Sequence, residues 1–541
     1  MKKLDISSIK SFISNDFSLP WLRFFIVTLL AIGIFFRFVN IDRKVYWYDE
    51  AYTFFRISGY TENEILQQAF NGNLIKVEDL KKFQQINPEK KLIDTIDSLA
   101  IEDVQHPPLY YILARFAMQL FNNSIVVTRV LSSIISLLTL PCIYWLCLEL
   151  FESPLVGGLA MALVSVSPFH IVFAQEAREY SLWTVTTILS SASLLRAMRL
   201  KNKLSWSIYA LTMTLSYYTL VLSFFVAICH GIYVFVIEKF RWSKNLKSYI
   251  FASLASLLTF TPWLWIFVNR IPTFSHTIDW MKEPISLTKL IAYWMRNLSY
   301  VFSDIEYQYD KLEIFNPIFL ILAIYAAYYI CRYTQKRTWL FIILLIGIIP
   351  LSLILPDLIL GGRRSTNCKY FMPCYLGIEL AVAYLFATKT IPISITAKFQ
   401  NLWRVIIVLL ITLGVLSSTV SARAQMWWNK SRNEDAPSVA EYVNRARTPI
   451  IISDGEVGDL LSLSYLLEPR VSLKVQSICY TSCSKDSPQT ATTKLTNIPN
   501  GFTDVFLYKP SEFLRSKLSI EYNIKHIPHK SNTVWLLEKR S

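Results

Sequence analysis

Eleven side chains scattered from Asp49 to Tyr370 are of the types that proton transfer beside a phosphate requires. Asp49 and Glu50 adjoin in VYWYDEAYT, His106 precedes two prolines in VQHPPLYY, and Arg129 interrupts an apolar run. Glu176, Arg178 and Tyr180 share QEAREY, and Arg363, Arg364, Lys369 and Tyr370 share GGRRSTNCKYF. A carboxylate draws the proton from an attacking hydroxyl, while cations neutralise charge developing on a phosphate leaving group. Arg meets phosphate through a bidentate fork and Lys as a point charge. Each residue also has a plainer reading. Asp49 and Glu50 fit ordinary loop acids, His106 fits a cap on the turn at Pro107 and Pro108, and Arg129 fits a snorkelling side chain. Tyr46, Trp47 and Tyr48 fit an interfacial aromatic belt better than a sugar-stacking platform. Arg363 and Arg364 fit solvated loop charges, although outer loops are usually poor in Arg and Lys.

These residues act together only if the chain gathers them at one surface. Charged residues are 17% of the 541 and hydrophobic ones 53%, against about 25% charged in soluble proteins. That composition excludes a single soluble enzyme and a disordered chain. Apolar runs at 24–36, 155–169 and 340–355 require a membrane. The formal charge of +15 then marks particular loops and is no nucleic-acid footprint. Spans are expected at about 21–40, 126–148, 154–173, 179–198, 205–220, 221–238, 248–269, 313–331, 339–360, 368–388 and 403–421, eleven in all. The first is read as a retained helix, since no cleavage site follows it. Segment 107–121 is apolar but fifteen residues long, which suits an interfacial or re-entrant helix.

Charge sets the orientation. With the N-terminus inside, the short basic loops at 196–203, 239–247, 332–337 and 389–404 fall in the cytoplasm. Counting 107–121 as a span would turn all four outward. The loop at 149–154 has no Lys or Arg and stands as an exception. The outer side then holds residues 41–125, 270–312 and 423–541, with a surface helix expected where Leu92, Ile93, Ile96, Leu99 and Ala100 recur at helical spacing.

Composition changes again near residue 422. Strands are expected at 449–454, 471–475, 504–508 and 533–538, and helices at about 436–446, 456–467 and 510–519. That alternation predicts a small α/β domain with a partly parallel sheet. The expected fold class is therefore mainly α. A membrane domain of about eleven helices covers 1–421, its outer loop 41–125 carrying juxtamembrane helices, and a soluble extracytoplasmic α/β domain covers 422–541. Six of the eight cysteines lie in or beside apolar runs and act as small hydrophobes. Cys479 and Cys483, at C-x-x-x-C spacing with no His nearby, suit a local disulfide better than a zinc site.

Taken in order, Asp-Glu after the first helix, His-Pro-Pro-Leu, Arg in the next span and Ser-Pro-Phe…Gln-Glu-Ala-Arg-x-Tyr resemble the membrane glycosyltransferases of the GT-C fold. The branch most similar is that of the protein O-mannosyltransferases and lipid A aminoarabinose transferases. The motifs cover about residues 20–200, and the resemblance beyond them rests on the span pattern and the basic residues at 363–370. Relatives often carry Arg-Tyr where this chain has Lys369 and Tyr370. The resemblance implies a polyprenyl-phosphate-linked sugar as donor and a protein, lipid or glycan acceptor. Transfer would occur at the outer face of the plasma (inner) membrane, with inversion at the anomeric carbon. It implies Asp49 as general base and Glu50 as its acceptor-positioning neighbour. Arg129, Arg178, Arg363, Arg364 and Lys369 would hold the lipid phosphate, with His106, Glu176, Tyr180 and Tyr370 completing the substrate site. Oxygen ligands at Asp49, Glu50 and Glu176 would suit Mg²⁺ or Mn²⁺. The relatives work without an essential metal, so neither metal nor cofactor is expected. The partners are then donor, acceptor and membrane lipids, with no nucleic acid.

Two other classes compete. A transporter or lipid flippase tends to show paired halves and Gly-broken helices. This chain has 14 glycines in 541 residues, well under the average of about 7%, and no matching halves. An inactive scaffold would use its outer region only to bind partners.

Overall fold

The computed structural model describes residues 20–305, 310–390, 397–476, 494–527 and 533–540. Cys479 and Cys483 lie outside them, and the six described cysteines are unpaired. Seven helical units are long and apolar enough to cross a bilayer: Pro20–Phe38, Ile125–Phe151, Lys244–Asn269, Leu312–Tyr333, Lys336–Leu360, Cys368–Thr390 and Gln400–Asn433. An eighth candidate, Pro154–Val166 with Pro168–Ala174, is bent by 60°. The bend falls at Pro168, which has no N–H to give the helix ladder. The other three expected spans are the helices Tyr180–Leu200, Lys203–Tyr217 and Ser223–Ile237. By length and composition alone the count among the described residues is thus seven, or eight with the bent pair, against the eleven expected.

The three extra helices look weak as spans for two reasons, and for Lys203–Tyr217 and Ser223–Ile237 it is their length of 15 residues. Tyr180–Leu200 is buried almost throughout, so protein surrounds it and lipid does not. Its Ser and Thr hydroxyls bond back to carbonyls three or four residues earlier, as Thr184 does to Tyr180 at 2.9 Å and Ser193 to Ser190 at 3.0 Å. Met372–Thr390 is likewise enclosed along nearly its whole length and forms the centre of the bundle. Close crossings need small residues. A Cβ on Gly33 would come within 2.2 Å of the Ser165 carbonyl oxygen, so the first helix reaches its neighbour only through glycine.

At one end of the bundle, Glu149 accepts from Arg199 Nε and Nη2 at 2.9 and 2.7 Å. Arg337 reaches the Glu149 carbonyl at 3.0 Å and Glu152 at 3.3 Å. The loop without basic residues is therefore the acidic partner of two basic ones.

At the opposite end lies a layer of short elements from the long first loop: Tyr48–Ser58, Glu62–Ala69, Leu92–Glu102 and Leu109–Phe121. The last has 13 residues, about 20 Å, too short for a hydrocarbon core of about 30 Å. Above this layer stands a six-stranded sheet. Its strands are β1 (Leu74–Lys76), β2 (Pro449–Ser453), β3 (Ser472–Val475), β4 (Asp504–Tyr508), β5 (Tyr522–His526) and β6 (Val534–Lys539), in the order β1-β3-β2-β4-β6-β5. β2 is parallel to both β3 and β4 and buried throughout, as the uninterrupted run PIIIS requires. β1 pairs antiparallel with β3, Leu74 opposite Lys474. One sheet thus joins the first loop to the C-terminal region, across the boundary expected at 421/422.

Candidate active site

Asp49 and Glu50 occupy the first turn of helix Tyr48–Ser58, where the helix dipole favours negative charge. Trp47, at the N-cap, offers no side-chain cap. The cap comes from the other end of the chain, where Asn433 Oδ1 accepts from the Tyr48 N–H at 2.8 Å. Asn433 is itself fixed, donating to Asp459 Oδ1 at 3.1 Å and Ser462 Oγ at 3.0 Å.

Adjacent helical residues point about 100° apart, so the two acids meet different partners. Asp49 Oδ2 accepts from Lys369 Nζ at 2.8 Å, and a fifth of its side chain is exposed. Burial pushes the Asp49 carboxyl up, but Lys369, Arg178 and His106 outweigh it and hold it at about 2. Glu50 is fully buried. It accepts from Arg129 Nε and Nη2 at 2.7 and 2.6 Å, from Lys430 Nζ at 2.8 Å and from the Ala177 N–H at 3.1 Å. Burial is again outweighed by the two cations, and Glu50 too is held at about 2. Arg129 gives its remaining N–H groups to the carbonyls of Ile41, Lys44 and Val45 at 2.9, 2.9 and 3.0 Å. All five of its donors are used, which leaves none for a phosphate. Arg129 is neither a phosphate ligand nor a snorkelling chain, and Glu50 is not free to position an acceptor. Together they clamp the loop that presents Asp49.

Arg178 lies between Asp49 and His106. Its Nη1 donates to Thr53 Oγ1 at 3.1 Å, to Tyr111 OH at 3.3 Å and, at 3.4 Å, to the Asp49 carbonyl. Its Nη2 is 3.3 Å from both His106 Nε2 and Glu179 Oε1. Glu179 Oε1 also lies 2.8 Å from His106 Nδ1. Arg178 and His106 outweigh burial and hold Glu179 at about 2. Tyr180 lies under two cations, with Lys369 Nζ 5.3 Å and Arg178 Cζ 5.7 Å from its ring centre. The Tyr370 ring is 5.8 Å from the same ammonium. Asp49, His106, Arg178, Tyr180, Lys369 and Tyr370 therefore form one constellation.

Glu176 lies beside it, fully buried. Asn429 Nδ2 donates to its Oε1 at 3.0 Å, and its Oε2 has no partner among the described residues. Burial, opposed by Lys430 and reinforced by Glu50, pushes its carboxyl up to about 7. Arg363 and Arg364 are engaged elsewhere. Arg364 pairs with Asp357 at 2.9 Å, and Arg363 with Glu283 at 3.2 Å under partial exposure. No bond among the described residues joins either to Asp49, Arg178 or Lys369. Nor is any group of three or more His, Cys, Asp or Glu among the described residues placed to hold a metal ion.

The sequence reading misses two contributors. Glu179 is the unassigned position of Arg-x-Tyr, and its only signal is its place inside that motif. The segment WWNKSRN, just past the α-helix Ala397–Arg423, supplies Asn429, Lys430 and Asn433. It is anchored by Asp304, which accepts from Trp427 and Trp428 Nε1 at 2.6 and 3.1 Å, and by Tyr300 stacked on Trp428 at 4.3 Å.

Residues 105–266 match the family model for dolichyl-phosphate-mannose-protein mannosyltransferase. The structure resembles ArnT from Cupriavidus metallidurans bound to undecaprenyl phosphate, with a TM-score of 0.56 and 12% identity over 95% of this chain and 97% of that one. ArnT in the apo state gives a TM-score of 0.54 at 12% identity, with the same coverage of both chains. The archaeal oligosaccharyltransferase AglB from Archaeoglobus fulgidus, in complex with an inhibitory peptide and a dolichol-phosphate, gives 0.50 at 11% identity, over 96% of this chain and 74% of that one. No curated protein sequence matches. Residues 105–266 are thus similar to a dolichyl-phosphate-mannose-protein mannosyltransferase domain, and the chain as a whole shares the fold of ArnT and AglB, the GT-C fold that its motif order resembles.

Proposed function

We propose that the protein transfers a sugar from a polyprenyl-phosphate-linked donor to an acceptor at the outer face of the membrane, inverting the anomeric carbon, with Asp49 as general base. The observation that carries this reading is the Asp49–Lys369 pair, flanked by Arg178 and set over Tyr180. A carboxylate and two cations meet there, and the carboxylate is partly exposed. The donor class is supported by the undecaprenyl phosphate bound to ArnT and the dolichol-phosphate bound to AglB.

In the free protein Lys369 neutralises Asp49. A phosphate entering the site competes for the ammonium. Asp49 then loses the partner that most opposes its burial, so its basicity rises where a base is needed. The acceptor oxygen bonds to the anomeric carbon as the bond from that carbon to the phosphate oxygen breaks. The acceptor proton passes to Asp49, and the leaving polyprenyl phosphate keeps the electron pair, its charge met by Lys369 and Arg178. His106 and Glu179 hold the Arg178 guanidinium in place.

The test is transfer from a labelled polyprenyl-phosphate sugar by the full chain in proteoliposomes. Release or transfer of label above that of empty liposomes is expected. Binding of the donor with no turnover would favour a flippase or scaffold and end this reading.

A further inference from the structure

A cleft of about 580 Å³ opens in the outer layer between residues 86–92 and the far end of helix Leu109–Phe121. Small-molecule sites span about 300–1,000 Å³. Asn87, Lys90, Lys91, Arg115, Gln119 and Asn122 line it, and none of its lining residues is a carboxylate. The cleft is held in shape. Asn123 brackets Ile86, accepting from its N–H at 3.1 Å and donating to its carbonyl at 3.2 Å. Arg115 is 1% exposed and donates to Ile57 O at 2.6 Å and Thr95 Oγ1 at 3.0 Å, while its Nε has no partner among the described residues. Lys90 is paired with Glu64 at 2.6 Å. Lys91 is exposed and in no ion pair among the described residues.

The same helix turns Leu113, Phe116, Leu120 and Phe121 outward, the last two more than three-quarters exposed. A short helix with one apolar exposed face and a cationic, amide-rich edge is what lies in a membrane interface. We infer that the cleft is a binding site for the phosphodiester head group of an anionic phospholipid. The phosphate meets Lys91 and the side-chain amides of Gln119 and Asn122, and the acyl chains run along Leu113, Phe116 and Leu120. The inference rests on this helix lying at the membrane surface, and not on the transfer chemistry. The site also adjoins the catalytic layer, because the carbonyl that Arg115 holds, Ile57 O, ends the helix whose first turn carries Asp49.

The full chain in detergent is titrated with dioleoylphosphatidylglycerol or dioleoylphosphatidylcholine, and retained lipid is counted by native mass spectrometry. Phosphatidylglycerol is expected to be retained over phosphatidylcholine. Lys91→Ala should weaken retention about fivefold, the usual effect of one basic residue at an anionic surface. Lys91→Glu should weaken it further, and Lys91→Arg should preserve it. Gln119→Glu, on the opposite wall, should also weaken it. Both residues are exposed, and unchanged unfolding temperatures check that the variants fold. Equal retention of the two lipids, or undiminished phosphatidylglycerol in Lys91→Glu, overturns the site. Displacement by millimolar inorganic phosphate overturns the lipid as its source and leaves a free-anion site. None of these readings requires transfer activity, so failure here is distinct from failure of the transferase reading.

Discussion

Asp49 and Glu50 are neighbours of one charge with opposite duties. Asp49→Asn keeps shape and hydrogen-bonding reach but cannot take a proton, so turnover should fall by about 10²–10⁴-fold with donor binding nearly unchanged. Near-normal turnover in membranes of equal expression would remove Asp49 from the mechanism. Glu50→Gln leaves Arg129 and Lys430 buried without their counter-charge, and the loss should be folded protein, about 3–5 kcal/mol by thermal unfolding in detergent. The acids also differ in pH response. Asp49 and Glu50 are held below their ordinary range, so their stabilisation is present above it and fades as pH falls toward about 2. Glu176 is raised from 4.5 to about 7, so its contribution is present below 4.5 and lost as pH rises through about 7. Glu176→Gln should therefore raise the unfolding temperature above neutrality and leave it unchanged near pH 4, and equal shifts at both pH values would refute the buried carboxyl. Motif order singles out Asp49, His106, Arg178 and Tyr180, the basic cluster at 363–370 adds Lys369 and Tyr370, and the structure brings these six together. Motif order could not separate Arg129 from a phosphate ligand. Three of that guanidinium's partners are main-chain carbonyls, which leave no trace in residue types.

Helix Tyr48–Ser58 depends on an element hundreds of residues away. Asn433 caps it while bonded to Asp459 and Ser462 of helix Val457–Ser464, and Arg432 stacks on the Tyr48 ring at 3.6 Å. Losing an N-cap costs about 0.5–2 kcal/mol. Asn433→Ala should lower stability by that much and lower turnover, with donor affinity little changed, since no phosphate partner moves. Loss of donor binding with normal turnover would instead mean that the segment holds substrate directly. This coupling was invisible in the sequence because a cap supplied from across the fold follows no local spacing. The strands β2, β3, β4 and β6 were legible as β-branched or aromatic runs between turn residues. β1 has three residues, and β5 has no fully buried position, so neither shows a hydrophobic pattern. Lys203–Tyr217 and Ser223–Ile237 are short for spans at 15 residues each, and Tyr180–Leu200 reads weakly because Ser and Thr dilute an apolar run that protein surrounds.

Contacts between distant loops constrain how the whole chain threads the bilayer, because groups bonded at about 3 Å lie on one side of a core about 30 Å thick. Ala177 bonds to Glu50, so an even number of crossings separates the first loop from residue 177. Ile125–Phe151 is long and apolar enough to cross, and the bent pair Pro154–Ala174 then crosses with it. Leu109 N–H bonds to Tyr218 O, which makes the crossings of Tyr180–Leu200 and Lys203–Tyr217 both or neither. Arg199 bonds to Glu149, at the far end of Ile125–Phe151, so both cross. Asn245 reaches Met198 O and Glu238, which brings the end of Ser223–Ile237 to that same far side. Lys369 bonds to Asp49, requiring Lys244–Asn269, Leu312–Tyr333 and Lys336–Leu360 to complete an even count. Lys430 on Glu50 and β1 on β3 return the chain to the first side after Cys368–Thr390 and the last long helix. Counted this way with Pro20–Phe38, the contacts accommodate the eleven crossings expected from the sequence, and adding Leu109–Phe121 would break the parity. From the basic loops, the site is expected outside. A phosphatase active only outside the cytoplasm, fused after Ser541, should be active, and the same enzyme inserted between Lys239 and Ser243 should be silent. Activity at the second position with silence at the first would invert the frame. Activity at both would break the even count and with it the shared sheet that joins the two outer regions.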